Sequence, residues 1–130
     1  TSKADIPLIF RIFGKAGFLN LIPNLLMKPP QFVVNYFFGV TEPKFKKKLR
    51  QIIADTDINL LRWATHQITK WDNAELPANM FRIHGSSDRL LSFNKKEEVT
   101  VIPNAGHFMI MNRANELSEH LNQELKSKIK

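Results

Sequence analysis

Only two stretches of this chain read as β-strands, and that scarcity limits what it can fold into more than any other feature. Residues 80–84 (Met-Phe-Arg-Ile-His) form a short apolar run bounded by Pro77 and Gly85. Residues 99–102 (Val-Thr-Val-Ile) form a second, closed by Pro103 and Asn104. Apolar and β-branched runs between Pro and Gly are strand signals. A helical pattern follows over 113–129, with Leu117, Leu121 and Leu125 on one face. Strand, loop, strand, helix is the order of an α/β protein. Two parallel strands need cover on both faces and a neighbour at the edge. The chain therefore reads as α/β but short of sheet. That points to a segment of a longer protein or to a partner at the open edge. A start at Thr1 rather than Met agrees with the first.

Residues 1–76 read as helical and apolar. Three short pieces come first. One spans 6–13 and ends at Gly14 and Gly17; one spans 19–27, broken by Pro23 and closed by Pro29-Pro30. The third spans 31–38 and ends at Gly39, a residue type that terminates helices. Such turn-separated pieces suit a lid better than a regular bundle. Thr41 is then expected to cap a helix that carries Pro43 in its first turn and runs to about Ala54. Its apolar stripe is Phe45, Leu49, Ile52 and Ile53. Asp57 is expected to cap a second long helix over 58–70, with Leu60, Leu61, Ala64 and Ile68 in register and Trp63 and Trp71 beside them. The pattern breaks at Asp72-Asn73, and its chemistry changes at Leu76-Pro77. Two regions result: 1–76, a helical cap or lid, and 77–130, an α/β segment.

Composition removes several classes of function. With no Cys there is no disulfide, thiolate metal site or cysteine nucleophile in these 130 residues. No His-x-x-x-His pair or carboxylate cluster suggests a metal. The net charge of +7 invites a nucleic-acid reading. The cations are dispersed, however, over 44–50, Lys95-Lys96 and 126–130, without interleaved aromatics, so no nucleic-acid partner is expected. Nothing approaches the roughly 18 apolar residues of a membrane-spanning helix, and no signal peptide is visible at the start. A cytoplasmic protein without membrane contact is the expectation.

Each predicted strand runs into a loop with an ionisable residue: 84–89 is His-Gly-Ser-Ser-Asp-Arg and 103–108 is Pro-Asn-Ala-Gly-His-Phe. In open α/β sheets, functional groups gather at the carboxyl ends of the strands. Asp88 and His107, so placed, would lie side by side. The carboxylate would accept the Nδ1 hydrogen bond, fix the tautomer and stabilise an imidazolium. Gly85 and Gly106 are expected to permit tight turns. His84 is expected to hold a loop. Ser86 and Ser87 read as turn formers, since nothing activates them as nucleophiles. His66 is expected to pack within the helical region and His120 to face solvent. Most of Phe10, Phe13, Phe18, Met27, Phe32, Phe37 and Phe38 are expected in the core, with a minority lining an apolar pocket.

These loops resemble those of a known family. Residues 81–89 are similar to the hydrophobic-x-Ile-His-Gly-x-x-Asp segment of α/β-hydrolases, and 101–109 to their Gly-x-Gly/Ala-Gly-His segment. The resemblance implies that Asp88 is the acid and His107 the base of a Ser-His-Asp triad, in the chain order of that family. It covers 77–130, including a final helix from Arg113. Residues 1–76 match only by position, as the family's variable helical cap. The implied fold is a partial α/β-hydrolase fold: a helical cap, two parallel strands and a C-terminal helix. Ser92 stands where many members have Pro. The interval from Asp88 to His107 is too short for a full connecting helix, so a loop or single turn is expected there.

The family's Gly-x-Ser-x-Gly nucleophile elbow and His-Gly-Gly oxyanion segment do not occur. Both belong to the N-terminal half of that fold. The nucleophile is therefore expected outside this chain, and the chain by itself is expected to be inactive. The implied reaction is hydrolysis of a small ester-like substrate without a cofactor. Phe108 and Met109, next to His107, are expected to touch the substrate. Dehalogenation or carbon–carbon hydrolysis would use the same two residues. From another class, a non-catalytic module could associate with a second chain, or a copy of itself, through the open sheet edge.

Overall fold

The computed structural model of the protein describes residues 3–15, 21–75, 77, 79–93 and 98–128. Gly17, Phe18, Leu76, Lys95, Lys96 and Ile129 lie outside the described residues, as does the side chain of Phe13.

The first region is helical. After a turn of 3-10 helix at Lys3–Asp5 come α1 (Leu8–Lys15), α2 (Asn24–Met27) and α3 (Gln31–Phe38). Pro23 and Pro30, both extended, stand immediately before α2 and α3. Gly39 ends α3 in the left-handed conformation, φ 68°. The N–H groups of Gly39 and Val40 then close onto the carbonyls of Tyr36 and Asn35, which satisfies the last turn of the helix.

Helix α4 (Pro43–Asp55) starts one residue later than Thr41 as a cap would place it. Glu42 takes the N-cap position without a side-chain hydrogen bond. Pro43 sets this start, because its fixed φ and missing N–H suit the first helical position. Helix α5 (Ile58–Lys70) begins as expected: Asp57 accepts from the N–H groups of Asn59 and Leu60, each at 2.9 Å.

Leu49 of α4 is the centre of the core, packed with Val34 of α3 and with Val40. Phe38, Phe45, Ile53 and Phe108 surround them. The predicted stripe of α4 thus faces inward except for Ile52, which is exposed. Lys44, Lys47, Lys48 and Arg50 face solvent. No helix among the described residues is long and apolar enough to cross a membrane.

The second region holds β1 (Ile83–Gly85) and β2 (Thr100–Ile102), paired in parallel with Ile83 opposite Thr100 and Gly85 opposite Ile102. The protein is therefore a mixed α/β structure with two parallel strands among the described residues. Between the strands the described residues form no helix. A short helix, α6 (Met109–Asn112), was not legible in the pattern; α7 (Ala114–Lys128) follows it. Leu117 is half-buried, but Leu121 and Leu125 are 43% and 58% exposed. The period of α7 is helical, yet its apolar stripe is largely uncovered.

Long-range polar contacts join the two regions. The Arg82 guanidinium meets the Asp5 carboxylate at 2.9 Å, their side chains only 12% and 3% exposed. Lys3 pairs with Asp72. The Ser92 N–H donates to the Asp5 carbonyl at 2.9 Å. A proline at position 92 could not make that bond.

The end of α3 is pressed against the histidine loop. A Cβ on Gly106 would lie 2.7 Å from both the Gly39 Cα and the Phe38 carbonyl oxygen. Phe108 N–H donates to that same carbonyl at 3.1 Å, so the two backbones are held at this spacing. At Gly85, a Cβ would overlap the Ala105 carbonyl. Neither Gly85 nor Gly106 has a positive φ. Both are required for close approach, not for the tight turns expected of them. Gly106→Ala is expected to destabilise the fold by about 1–3 kcal/mol through overpacking against a backbone that cannot retreat. Urea unfolding monitored by circular dichroism measures this.

Candidate functional site

The ends of β1 and β2 carry the two loops side by side. Backbone bonds lock them together: Ser86 N–H donates to the Ile102 carbonyl at 3.0 Å, and Ser87 N–H to the Ala105 carbonyl at 2.9 Å. Asn104, at φ 56°, turns the second loop, and its N–H donates to Ser86 Oγ at 2.8 Å. Ser86 therefore braces the loops, in keeping with a turn role.

This bracing brings the two ionisable residues together. His107 Nδ1 lies 2.9 Å from Asp88 Oδ2. An ionised carboxylate can only accept, so Nδ1 carries a proton, and in the neutral tautomer that this selects Nε2 is the acceptor. Asp88 Oδ1 is occupied by the N–H groups of Leu90 and Leu91, at 2.8 and 3.0 Å. Both oxygens are thus fixed, and the carboxylate cannot swing away from the imidazole. Burial pushes the Asp88 carboxyl up. The hydrogen bonds from His107, Leu91 and Leu90 and the charge on His107 outweigh it and hold the group below its ordinary value. Asp88 is 7% exposed and His107 35%. The Asp88 carboxylate is sheltered while the His107 imidazole reaches open space.

His84 stands behind the pair. Its Nδ1 lies 2.9 Å from the Gly85 carbonyl, which makes Nδ1 the donor, and it packs against Phe93 with ring centroids 4.6 Å apart. Its Nε2 is 3.8 Å from Asp88 Oδ2. The loop-holding role expected of His84 is compatible with these contacts.

Helix α3 frames the site from the other side. The Phe38 ring meets His107 edge-on, centroids 5.5 Å apart. Arg89 donates to the Tyr36 carbonyl at 2.8 Å and stacks over the Tyr36 ring. The acid loop and the histidine loop are therefore both tied to α3.

His107 opens onto an apolar cleft of about 740 Å³. Its walls come from α1, α5 and the loop after Asp88, including Phe10, Ile68, Trp71, Leu90 and Leu91. Phe38 also lines it. Phe108 and Met109, expected to touch substrate, do not line the cleft. Phe108 turns into the core around Leu49, and Met109 starts α6. The chain folds into a helical turn directly after His107, which carries these two residues away from the cleft. The cleft residues Leu90 and Leu91 had a local signal, since they follow the acid, but Phe10, Ile68 and Trp71 reach the site only through tertiary packing.

Among the described residues no group of three or more His, Asp or Glu is placed to hold a metal ion. No family model, curated protein or solved structure matches the chain.

Proposed function

We propose that this chain supplies the acid, the base and an apolar substrate cleft of a hydrolase acting on ester-type bonds, with the nucleophile lying outside these residues. The observation that carries the reading is the 2.9 Å contact between His107 Nδ1 and Asp88 Oδ2, made by a buried carboxylate whose other oxygen is already filled. In the reaction, His107 Nε2 takes the proton of the attacking hydroxyl as it adds to the ester carbonyl. The imidazolium gives that proton to the leaving alcohol. Water then adds to the acyl carbonyl and loses a proton to Nε2; the bond to the nucleophile breaks, the imidazolium returns that proton to the nucleophile's oxygen, and the acid departs. Asp88 keeps the ring oriented and balances its transient charge throughout. The resemblance of both loops to those of α/β-hydrolases supports the same reading, and no step needs a cofactor.

A polypeptide that joins this chain to a segment carrying the nucleophile is expected to hydrolyse p-nitrophenyl esters, and the 130-residue chain alone is expected not to. His107→Ala in the longer polypeptide should lower kcat by about a thousandfold or more. Activity that survives His107→Ala undiminished would falsify the proposal.

A second reading has its own support. The apolar residues Leu121 and Leu125 of α7 and Val101 of β2 are exposed, as a non-catalytic module that associates through its sheet would require. An inactive, stable oligomer in size-exclusion chromatography would favour it.

A further inference from the structure

The cleft in front of His107 is selective in a way that its shape alone does not reveal. No Lys, Arg, Asp or Glu lines it among the described residues. Its polar lining is Thr65, Gln67, Thr69 and His107. Two of these have no proton to offer a ligand. Thr65 Oγ donates to the Leu61 carbonyl at 2.8 Å, and Thr69 Oγ to the His66 carbonyl at 3.1 Å. Each hydroxyl hydrogen is thus committed to the backbone of α5. The remaining walls are aromatic and aliphatic. Asp88, in contact with His107, has both oxygens engaged and would repel an anion. A carboxylate or phosphate seated against these walls would give up part of its hydration and meet no counter-ion among the described lining residues, which disfavours it relative to an uncharged group.

We infer that the cleft takes an uncharged ester with an extended apolar group and excludes esters whose acyl chain ends in a carboxylate or carries a phosphate. The inference rests on the hydrolase reading for the word ester; the exclusion of charge rests on the lining alone. A volume of about 740 Å³ lies within the range of small-molecule sites. It accommodates a chain of several methylenes, each of which contributes favourable transfer from water. The same logic clears the product: once the ester is cut, the new carboxylate has no partner in the cleft and leaves for solvent.

Equilibrium binding separates this inference from the reading beneath it. The probes are 2-decanone, an uncharged ester isostere, and decanoate at pH 8, of equal chain length. Titration calorimetry is run on the chain and on a polypeptide that joins it to the segment carrying the nucleophile. The ketone should bind saturably and decanoate at least about tenfold more weakly, a difference of one decade in Kd. Ile68→Lys, at an exposed position of α5 on the cleft wall, should weaken the ketone and strengthen decanoate. Trp71→Phe, a milder change on the same wall, should keep the order of the two ligands. Decanoate binding as well as the ketone would overturn the inference, and so would binding of neither, the result for a cleft filled by another protein segment. Saturable ketone binding without any esterase activity in the nucleophile-bearing polypeptide would instead uphold the cleft and remove the hydrolase reading.

Discussion

Replacing Asp88 with Asn in the active polypeptide is expected to lower kcat for ester hydrolysis about 10⁴-fold, with the fold intact. The size follows from tautomer chemistry. The amide oxygen of Asn can still accept from the Leu90 and Leu91 N–H groups that now hold Asp88 Oδ1. The amide nitrogen must then face His107 Nδ1, where Asp88 Oδ2 lies at 2.9 Å. An amide nitrogen donates, so Nδ1 becomes the acceptor and the ring proton moves to Nε2. A ring protonated at Nε2 cannot take the proton of a nucleophile. KM should change little, since Asp88 does not line the cleft. A variant that keeps more than about a tenth of the parent kcat would remove the orienting role of Asp88. An equal loss of stability and activity would reduce it to a structural one.

The same variant has a signature in acid. The folded Asp88 carboxyl titrates below its ordinary value. Between the folded and unfolded values the unfolded chain binds the extra proton, so stability rises with pH there. The contribution is complete above the unfolded value, near pH 4, and is lost as pH falls through the folded one. Asp88→Asn should therefore flatten the acid limb of stability. Urea midpoints measured from pH 7 downward should converge between parent and variant below about pH 4.

What could be read from the sequence was local. Asp57 marked the start of α5 because an Asx side chain is the commonest way to satisfy the first N–H groups of a helix. Gly39 marked the end of α3 because few other residues adopt the left-handed geometry found there. The two loops advertised themselves by glycine, turn residues and one ionisable group each, directly after strand-like runs. Their meeting followed from parallel pairing, since side-by-side strands bring their carboxyl ends together.

What escaped was decided at long range. Asp5 sits in a stretch with no motif, yet it is buried and reaches Arg82 across 77 positions. Gly39 and Gly106 look like ordinary punctuation, and only packing reveals that each makes room for the other. Phe108 follows His107 directly in sequence, yet its ring packs against the core around Leu49 just before the α6 turn. The cleft walls come from α1 and α5, which begin at Leu8 and Ile58, and no periodicity in one helix names its partner in another. The stripe of α7 shows the converse: Leu117, Leu121 and Leu125 repeat correctly, but period does not tell whether anything covers the face.

Arg82→Leu is expected to be the most damaging single change outside the loops, at about 3–5 kcal/mol. The guanidinium is 12% exposed and lies 2.9 Å from a carboxylate that is 3% exposed. Deleting it withdraws a buried charge partner and leaves the Asp5 carboxylate desolvated. Asp5→Leu removes the anion that faces the Arg82 guanidinium at 2.9 Å and is expected to destabilise as well. The double variant should cost less than the sum of the two, because neither charge remains, and a buried ion pair replaced on both sides by apolar groups is often near neutral. Urea unfolding of the four proteins completes the cycle; simple additivity would show that the pair contributes nothing as a pair. The site should register the loss too. The Arg82 carbonyl accepts from Thr100 N–H at 2.9 Å at the first rung of the sheet, and Asp5 holds Ser92 just beyond the acid loop. Loosening both ends of that segment frees Asp88 to drift from His107, so the His107 ring signals should shift toward those of Asp88→Asn even where the single variant still folds.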